Sequence, residues 1–470
     1  MTKRLFGLTL VLFATGWQAC APGRHAAASG KSELQQFVED SLQSQPGLQS
    51  AQIGICLYDP GKAAYIYNYQ GDKYFIPASN TKLFSLYAGL SYLGDSLIGM
   101  RYRVTDTALF VLPAGDPTFL HPDYPSQPVI DLMRKINKDI WLADNNWQDN
   151  GLGRGWAWDD YNDDYSAERS PFPIYGNMIR WVQDRPKNNT NDPFGGSPSI
   201  YSIPEVDWEV KFTTDTTKKS FFVHRYLGQN IFEVTEGKEN HKEQYTPFVT
   251  DGLASAAVLL KDTAGKPGGV KHLRLPAGGP GSPSATLPGL LQAAGWNVIH
   301  SRPVDSLFRP MMYNSDNFFA EQTLMMVGNE VLGSMNDAHT IDYLLQHDLD
   351  SLPQKPSWVD GSGLSRNDLF TPQDFVWVLN RLQQKFSLPR MERLLPTGGT
   401  GTLASYYHQD STFIYAKTGS LSGVVALSGY LMTQKGHLLI FSVLINNYTS
   451  SGVTVRRQIE KVIHRIRDIY

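Results

Sequence analysis

The chain has 470 residues, of which 41% are hydrophobic, 19% charged and 12% aromatic, and its formal net charge is −3. That length exceeds one ordinary core and calls for two or three domains, while the composition is that of a globular protein. The near-neutral charge gives no reason to expect a nucleic-acid partner, and the basic pair Lys218-Lys219 is too short to form a binding stripe.

Lys3 and Arg4 precede the apolar segment LFGLTLVLFATGW, and the small Ala19 follows. This is the layout of a signal peptide over 1–19, too short to span a bilayer stably, so an exported, periplasmic protein is expected. Cys20 comes directly after the cut, and Trp17 stands where a lipobox carries a branched aliphatic residue. A lipid tether through Cys20 and simple cleavage therefore both stay open. Cys56, in the run IGICLY, reads as a buried small residue, and no disulfide is expected.

After a polar linker at 20–30, SELQQFVEDSLQ puts Leu34, Phe37, Val38 and Leu42 on one helical face behind a Ser32 N-cap. AQIGICLYDPGKAAYIYNY predicts two strands joined at Asp59-Pro60-Gly61-Lys62. A helix starts within FIPASNTKLFSLYAGL, residues 75–90. Residues 101–300 then change character. The stretch 141–177 is dense in Trp, Asp, Asn and Gly, 200–250 is strand-rich, and 264–288 is a Pro/Gly-rich loop. They read as an inserted region of one or two mostly β domains, dividing one domain into halves at 31–100 and 301–470. In the second half FIYAKTG, VVALSGYLM and HLLIFSVLINN predict three strands. VTVRRQIEKVIHRIRDIY predicts a last helix with Val455, Ile459, Val462, Ile463 and Ile466 on one stripe. The expected class is α+β, an antiparallel sheet covered by helices, with the first and last segments as neighbours.

Ser79-Asn80-Thr81-Lys82 is a weak pattern alone, one that average composition supplies about once or twice in such a chain. It does place a hydroxyl and an amine on one helical face, and a serine nucleophile needs such a base. Ser315-Asp316-Asn317 opens the helix SDNFFAEQTLMMVGNEVL, and Lys417-Thr418-Gly419-Ser420 ends a strand. The order Ser-x-x-Lys, Ser-x-Asn, Lys-Thr-Gly resembles penicillin-binding proteins and class A β-lactamases. Ser79 is then the nucleophile and Lys82 its base, neutral in a dry site and depressed further by Lys417. Ser315 would relay a proton, and Asn317 would hold a substrate carbonyl. Lys417 would attract a substrate carboxylate and Thr418 would donate to it. Gly419 would leave the strand edge open to substrate, and the backbone N–H groups of Ser79 and Ser420 would form the oxyanion hole.

Gly115-Asp116-Pro117, GWAWDDYNDDYSAE at 155–168, DGSGLSR at 360–366 and LPTGGTGTL at 395–403 narrow the resemblance. From about residue 31 to its end the chain resembles the class C low-molecular-mass penicillin-binding proteins, the D-alanyl-D-alanine carboxypeptidase/endopeptidase group. The resemblance implies a transpeptidase-type domain with a long insertion, peptidoglycan stem peptides as substrates, β-lactams as covalent inhibitors and no cofactor. It also implies a pocket for the diaminopimelate side chain, with Asp160 as acidic contact, Arg366 as basic contact and Ser422 as a smaller lining residue than usual. Glu168 departs from the family's YSAP-type sequence.

Other readings start from the same residues. A β-lactamase or D-amino-acid peptidase or esterase would share the motifs, although a β-lactamase would lack the insertion. A silent peptidoglycan-binding protein would not need them intact. Trp156 and Trp158 read as packing residues rather than a carbohydrate platform. No HExxH, Cys/His cluster or GxSxG occurs, which leaves no sign of a metal site or an α/β-hydrolase.

Overall fold

Short-range chemistry sets the first elements. Ser32 caps the helix α1 (Glu33–Val38) in a reciprocal capping box with Gln35, and the helix runs into a π turn at Glu39–Gln43 that buries Leu42. Asp59 Oδ1 accepts from the backbone N–H groups of Gly61 and Lys62 at 2.9 and 3.1 Å, closing the turn between β1 (Gln52–Asp59) and β2 (Ala64–Tyr69). These contacts come from the computed structural model, which describes residues 32–136, 138–185, 198–213, 219–265, 269–273 and 296–470. The expected signal peptide, linker, Cys20, Lys218 and most of the 264–288 loop lie outside the described residues.

The helix α2 (Lys82–Tyr92) follows β2, and after the insertion come α3 (Asn317–Val331), α4 (Asp337–His347) and α5 (Pro372–Phe386). Three strands, β3 (Ile414–Leu421), β4 (Val424–Met432) and β5 (Leu438–Asn446), lead to the last helix, α6 (Gly452–Ile469). The sheet order is β3-β4-β5-β1-β2, antiparallel throughout, so β1 from the first half pairs with β5 from the second. Side chains alternate between two cores. Ile440 and Leu444 of β5 face α2 and α5, packing with Phe84, Leu86, Phe375 and Leu379. Phe441, Val443 and Ile445 face α1 and α6, packing with Leu34, Val38, Val455, Ile459 and Val462. The first described helix and the last helix thus share one face of the sheet, the neighbourhood expected of the first and last segments. Among the described residues β3 is an edge strand, bridged near its start by Pro396 and Thr397 and without a partner strand along its later half.

Among the described residues the intervening region and its flanks form a five-stranded sheet and two three-stranded sheets. In the larger sheet the strand Ser96–Val104 pairs antiparallel with the edge strand Asn297–Pro303, with Arg101 opposite Val298. The chain therefore leaves and rejoins the first domain side by side, and the expected boundaries at 101 and 300 fall inside these two strands. Phe119, Phe172, Trp181, Phe232 and Phe248 build a separate core. That region meets the helices of the first domain through ring contacts of His121 and Tyr124 with Phe319 and through a buried ionic cluster. Arg169, 1% exposed, meets Asp149 at 2.9 Å, Glu321 of α3 at 3.5 Å and Asp337 of α4 at 2.5 Å.

Candidate active site

Ser79 lies in a single 3-10 turn, Ala78–Thr81, that leads into α2. Asn80 Nδ2 donates to the Lys417 carbonyl at 3.1 Å, which ties this turn to β3. Lys82 is wholly buried, and its Nζ donates to Ser79 Oγ at 2.9 Å, Asn317 Oδ1 at 2.7 Å and the Ser362 carbonyl at 2.8 Å. Burial lowers the Lys82 pKa from 10.5 to about 8, against the opposing pull of Asp360, Glu321, Asp316 and Asp368. A lysine so placed can be neutral at mildly alkaline pH and remove the Ser79 proton.

Asp316 caps α3, accepting from Phe319 N at 2.9 Å. Ser315, just before it, sits at φ 59°, a left-handed conformation uncommon for serine. Its hydroxyl accepts from Lys417 Nζ at 2.8 Å, and that same ammonium donates to the Thr418 carbonyl at 2.7 Å.

A cleft of about 710 Å³ joins the three motifs, with Ser79, Ser315, Asn317 and Ser420 in its wall. Asp160, Arg366 and Ser422 line the same cleft. Arg366 donates to the Ser422 carbonyl at 3.0 Å, and Asp160 accepts from the Tyr165 hydroxyl at 3.0 Å. Two acidic residues, Asp159 and Asp160, and the basic Arg366 therefore line the cleft together from segments far apart in the chain.

Four expected roles change. Around them, burial comes first in lowering the Lys82 pKa, and Lys417 is pushed well below 10.5 by its own burial and then by its repulsion with Lys82. Lys417 is also wholly buried and bound to Ser315, so it is not a free cation for a substrate carboxylate. Thr418 does not line the cleft. Strand alternation puts it with Ile414 and Ala416 on the α6 face, where it borders a small cavity with Leu427, Arg456 and Ile459. Gly419 is needed for packing rather than for an open edge. A Cβ there would stand 2.7 Å from the Pro77 carbonyl and 3.0 Å from Asn80 Nδ2, in the turn that carries Ser79. Asn317 is engaged at both ends of its amide, by Lys82 and through Nδ2 to the Tyr165 carbonyl at 3.0 Å.

Sequence reasoning passed over the residues behind this front. Glu321 Oε1 accepts from Ser362 N at 2.8 Å, fixing the carbonyl that receives Lys82. Asp360 accepts from Gly363 N and Ser365 N, each at 2.7 Å, and from Trp156 Nε1 at 2.9 Å. The DGSGLSR loop is thus wound around one buried carboxylate, and its aspartate followed by small residues was the available signal. Trp156 has the packing role expected of it. Trp158 does not, being 75% exposed beside the cleft residues Ala157 and Asp159. Glu168 is buried and serves the inserted region, accepting from Thr250 N at 2.8 Å with Arg225 at 3.9 Å.

The profile of the D-Ala-D-Ala carboxypeptidase 3 (S13) family matches residues 34–466. A D-alanyl-D-alanine carboxypeptidase of Actinomadura sp. (strain R39) is 27% identical over 463 residues, covering 90% of this chain and 83% of that protein. D-alanyl-D-alanine carboxypeptidase DacB of Haemophilus influenzae is 25% identical over 469 residues, covering 92% and 93%. The crystal structure of penicillin binding protein 4 (dacB) from Haemophilus influenzae superposes with a TM-score of 0.69 at 20% identity, covering 92% of this chain and 98% of that one. This last likeness bears on the fold: a sheet with helices on both faces and additional β structure.

Proposed function

The chain belongs to the D-Ala-D-Ala carboxypeptidase 3 (S13) family, and on that premise we propose that it is a penicillin-sensitive serine DD-peptidase whose nucleophile is Ser79. The observation that carries this reading is the 2.9 Å contact between Ser79 Oγ and the Nζ of a wholly buried Lys82 in the wall of an open cleft. Neutral Lys82 takes the hydroxyl proton as Ser79 Oγ attacks the carbonyl carbon of a D-alanine. The negative charge on the carbonyl oxygen is stabilised by the backbone N–H groups of Ser79 and Ser420. When the C–N bond breaks, the proton held by Lys82 goes to the departing amine and leaves an ester on Ser79. Water, giving its proton to Lys82, then attacks the ester and frees the new carboxylate and the serine.

The substrates are peptidoglycan stem peptides, cleaved at the terminal D-Ala-D-Ala bond and at the D-Ala to diaminopimelate cross-link. Asp160 and Arg366 support this choice, since a zwitterionic side-chain terminus needs one partner of each sign. β-Lactams acylate the same serine. Export to the periplasm belongs to the same proposal, with Cys20 as the point of attachment if a lipid is added. Labelling the protein in cells with a radioactive fatty acid, with Cys20→Ala as control, decides that point.

Mass spectrometry after incubation with a labelled penicillin tests the central proposal. One adduct is expected, on the peptide containing Ser79, and none on Ser79→Ala. An adduct elsewhere, or none on the native chain, overturns it. Rapid turnover of the penicillin in place of a persistent adduct would make the chain a β-lactamase instead.

A further inference from the structure

Both proposed substrates release an amine whose own α-carbon carries a free carboxylate, so a site that recognises this carboxylate would serve both. Lys417 is not placed to do so, because its ammonium is buried and hydrogen-bonded to Ser315 and to a backbone carbonyl. Besides Arg366, which bonds to the Ser422 carbonyl, a second cationic group reaches the end of the strand from another element. Arg456, in the second turn of α6, donates from Nη2 to Ser420 Oγ at 2.7 Å, and Ser420 is itself part of the cleft wall. Among the described residues no carboxylate pairs with Arg456, whereas its neighbour Arg457 is held by Glu460 at 2.6 Å and by the Ser405 carbonyl at 2.9 Å. Thr418 adds a second hydroxyl on the same face of β3 and borders a cavity with Arg456.

We propose that Arg456, acting with Ser420, is the specificity residue that binds the α-carboxylate of the leaving D-amino acid. The guanidinium has five N–H donors in a planar fork that matches a carboxylate, and its hydrogen bond to Ser420 uses one of them. A substrate lying along the free edge of β3 brings its terminal carboxylate up to the Ser420 hydroxyl. The carboxylate can then replace that hydroxyl as the acceptor of Nη2 while accepting from Ser420 itself. The same contact would orient the carboxylate of a penicillin. The inference rests on the DD-peptidase reading and adds to it the residue that selects for a free acid terminus.

The test compares the full chain with Arg456→Gln and Arg456→Lys on two substrates. One is a diacyl-L-Lys-D-Ala-D-Ala peptide and the other its C-terminal amide. Benzylpenicillin and its methyl ester repeat the comparison through the rate of Ser79 acylation. The native chain is expected to favour the free acid in both pairs. In Arg456→Gln the acid-to-amide ratio of kcat/KM should fall roughly ten- to hundredfold, the range of one charge-assisted hydrogen bond. Arg456→Lys should recover part of the preference, since it keeps the charge but loses the fork. A ratio that stays constant, whether both substrates are lost together or neither is affected, overturns the assignment. A native chain that neither cleaves the peptide nor is labelled by penicillin overturns the peptidase reading and this inference with it, so the two failures are distinct.

Discussion

In the proposed reaction Lys82 must lose its proton before it can take one from Ser79, and burial sets the pH at which this happens. With its pKa brought down to about 8, the amine is mostly protonated at pH 7 and mostly neutral at pH 9. The second-order rate of acylation by a fluorescent penicillin is therefore expected to rise with pH and to level off above an inflection near 8. A flat profile from pH 6 to 10 would show that Lys82 is not the base. The same shift has a sign for stability. The unfolded chain binds this proton up to about 10.5 and the folded chain only to about 8, so this group's contribution to stability rises with pH between those values and is a constant penalty below them. The existence of a Ser-Lys pair was readable from residues three positions apart. Its dryness was not, because the Lys82 partners Asn317 and Ser362 lie 235 and 280 positions away.

At the scale of elements, the position of the nucleophile depends on how closely its turn approaches β3. Gly419 makes that approach possible, with the Pro77 carbonyl and Asn80 amide occupying the space of a side chain. Gly419→Ala must displace a backbone carbonyl rather than a flexible side chain. It is expected to cost about 1–3 kcal/mol of stability by overpacking and to slow penicillin acylation more than tenfold. Denaturant melts and a labelling time course measure the two effects, and a variant as stable and as fast as the native chain would contradict the packing account. The strands and helices themselves were legible, since alternation in VVALSGYLM and the stripe from Val455 to Ile466 depend on neighbours a few residues apart. The strand order was only partly so. That β3 is the edge and Thr418 faces α6 follows from which strands pair, a matter of contacts across hundreds of residues.

Across the whole molecule, the inserted region does more than interrupt the catalytic domain, because it supplies Asp160 and Tyr165 to the cleft and Arg169 to the support behind it. Arg169 is the cation for Asp149, Glu321 and Asp337, and Glu321 in turn holds Ser362, the carbonyl partner of Lys82. Arg169→Met would keep the apolar stem and leave those carboxylates buried without their counterion. A loss of about 3–5 kcal/mol is expected, read as a lower thermal midpoint by calorimetry, together with slower acylation at Ser79. A midpoint equal to that of the native chain would mean that the network contributes nothing net.

By itself the sequence determined the class of the fold and singled out the groups proposed to react, because caps, turns, hydrophobic periods and three short motifs are all written in neighbouring residues. Tertiary structure alone decided which groups those residues meet. Lys417 went to Ser315 rather than to the front of the cleft, Trp158 stayed in solvent while Trp156 turned inward to Asp360, and Arg456 came to rest beside Ser420. Burial and charge pairing depend on distance in space, and a linear sequence does not specify which distant segments will close over a given side chain.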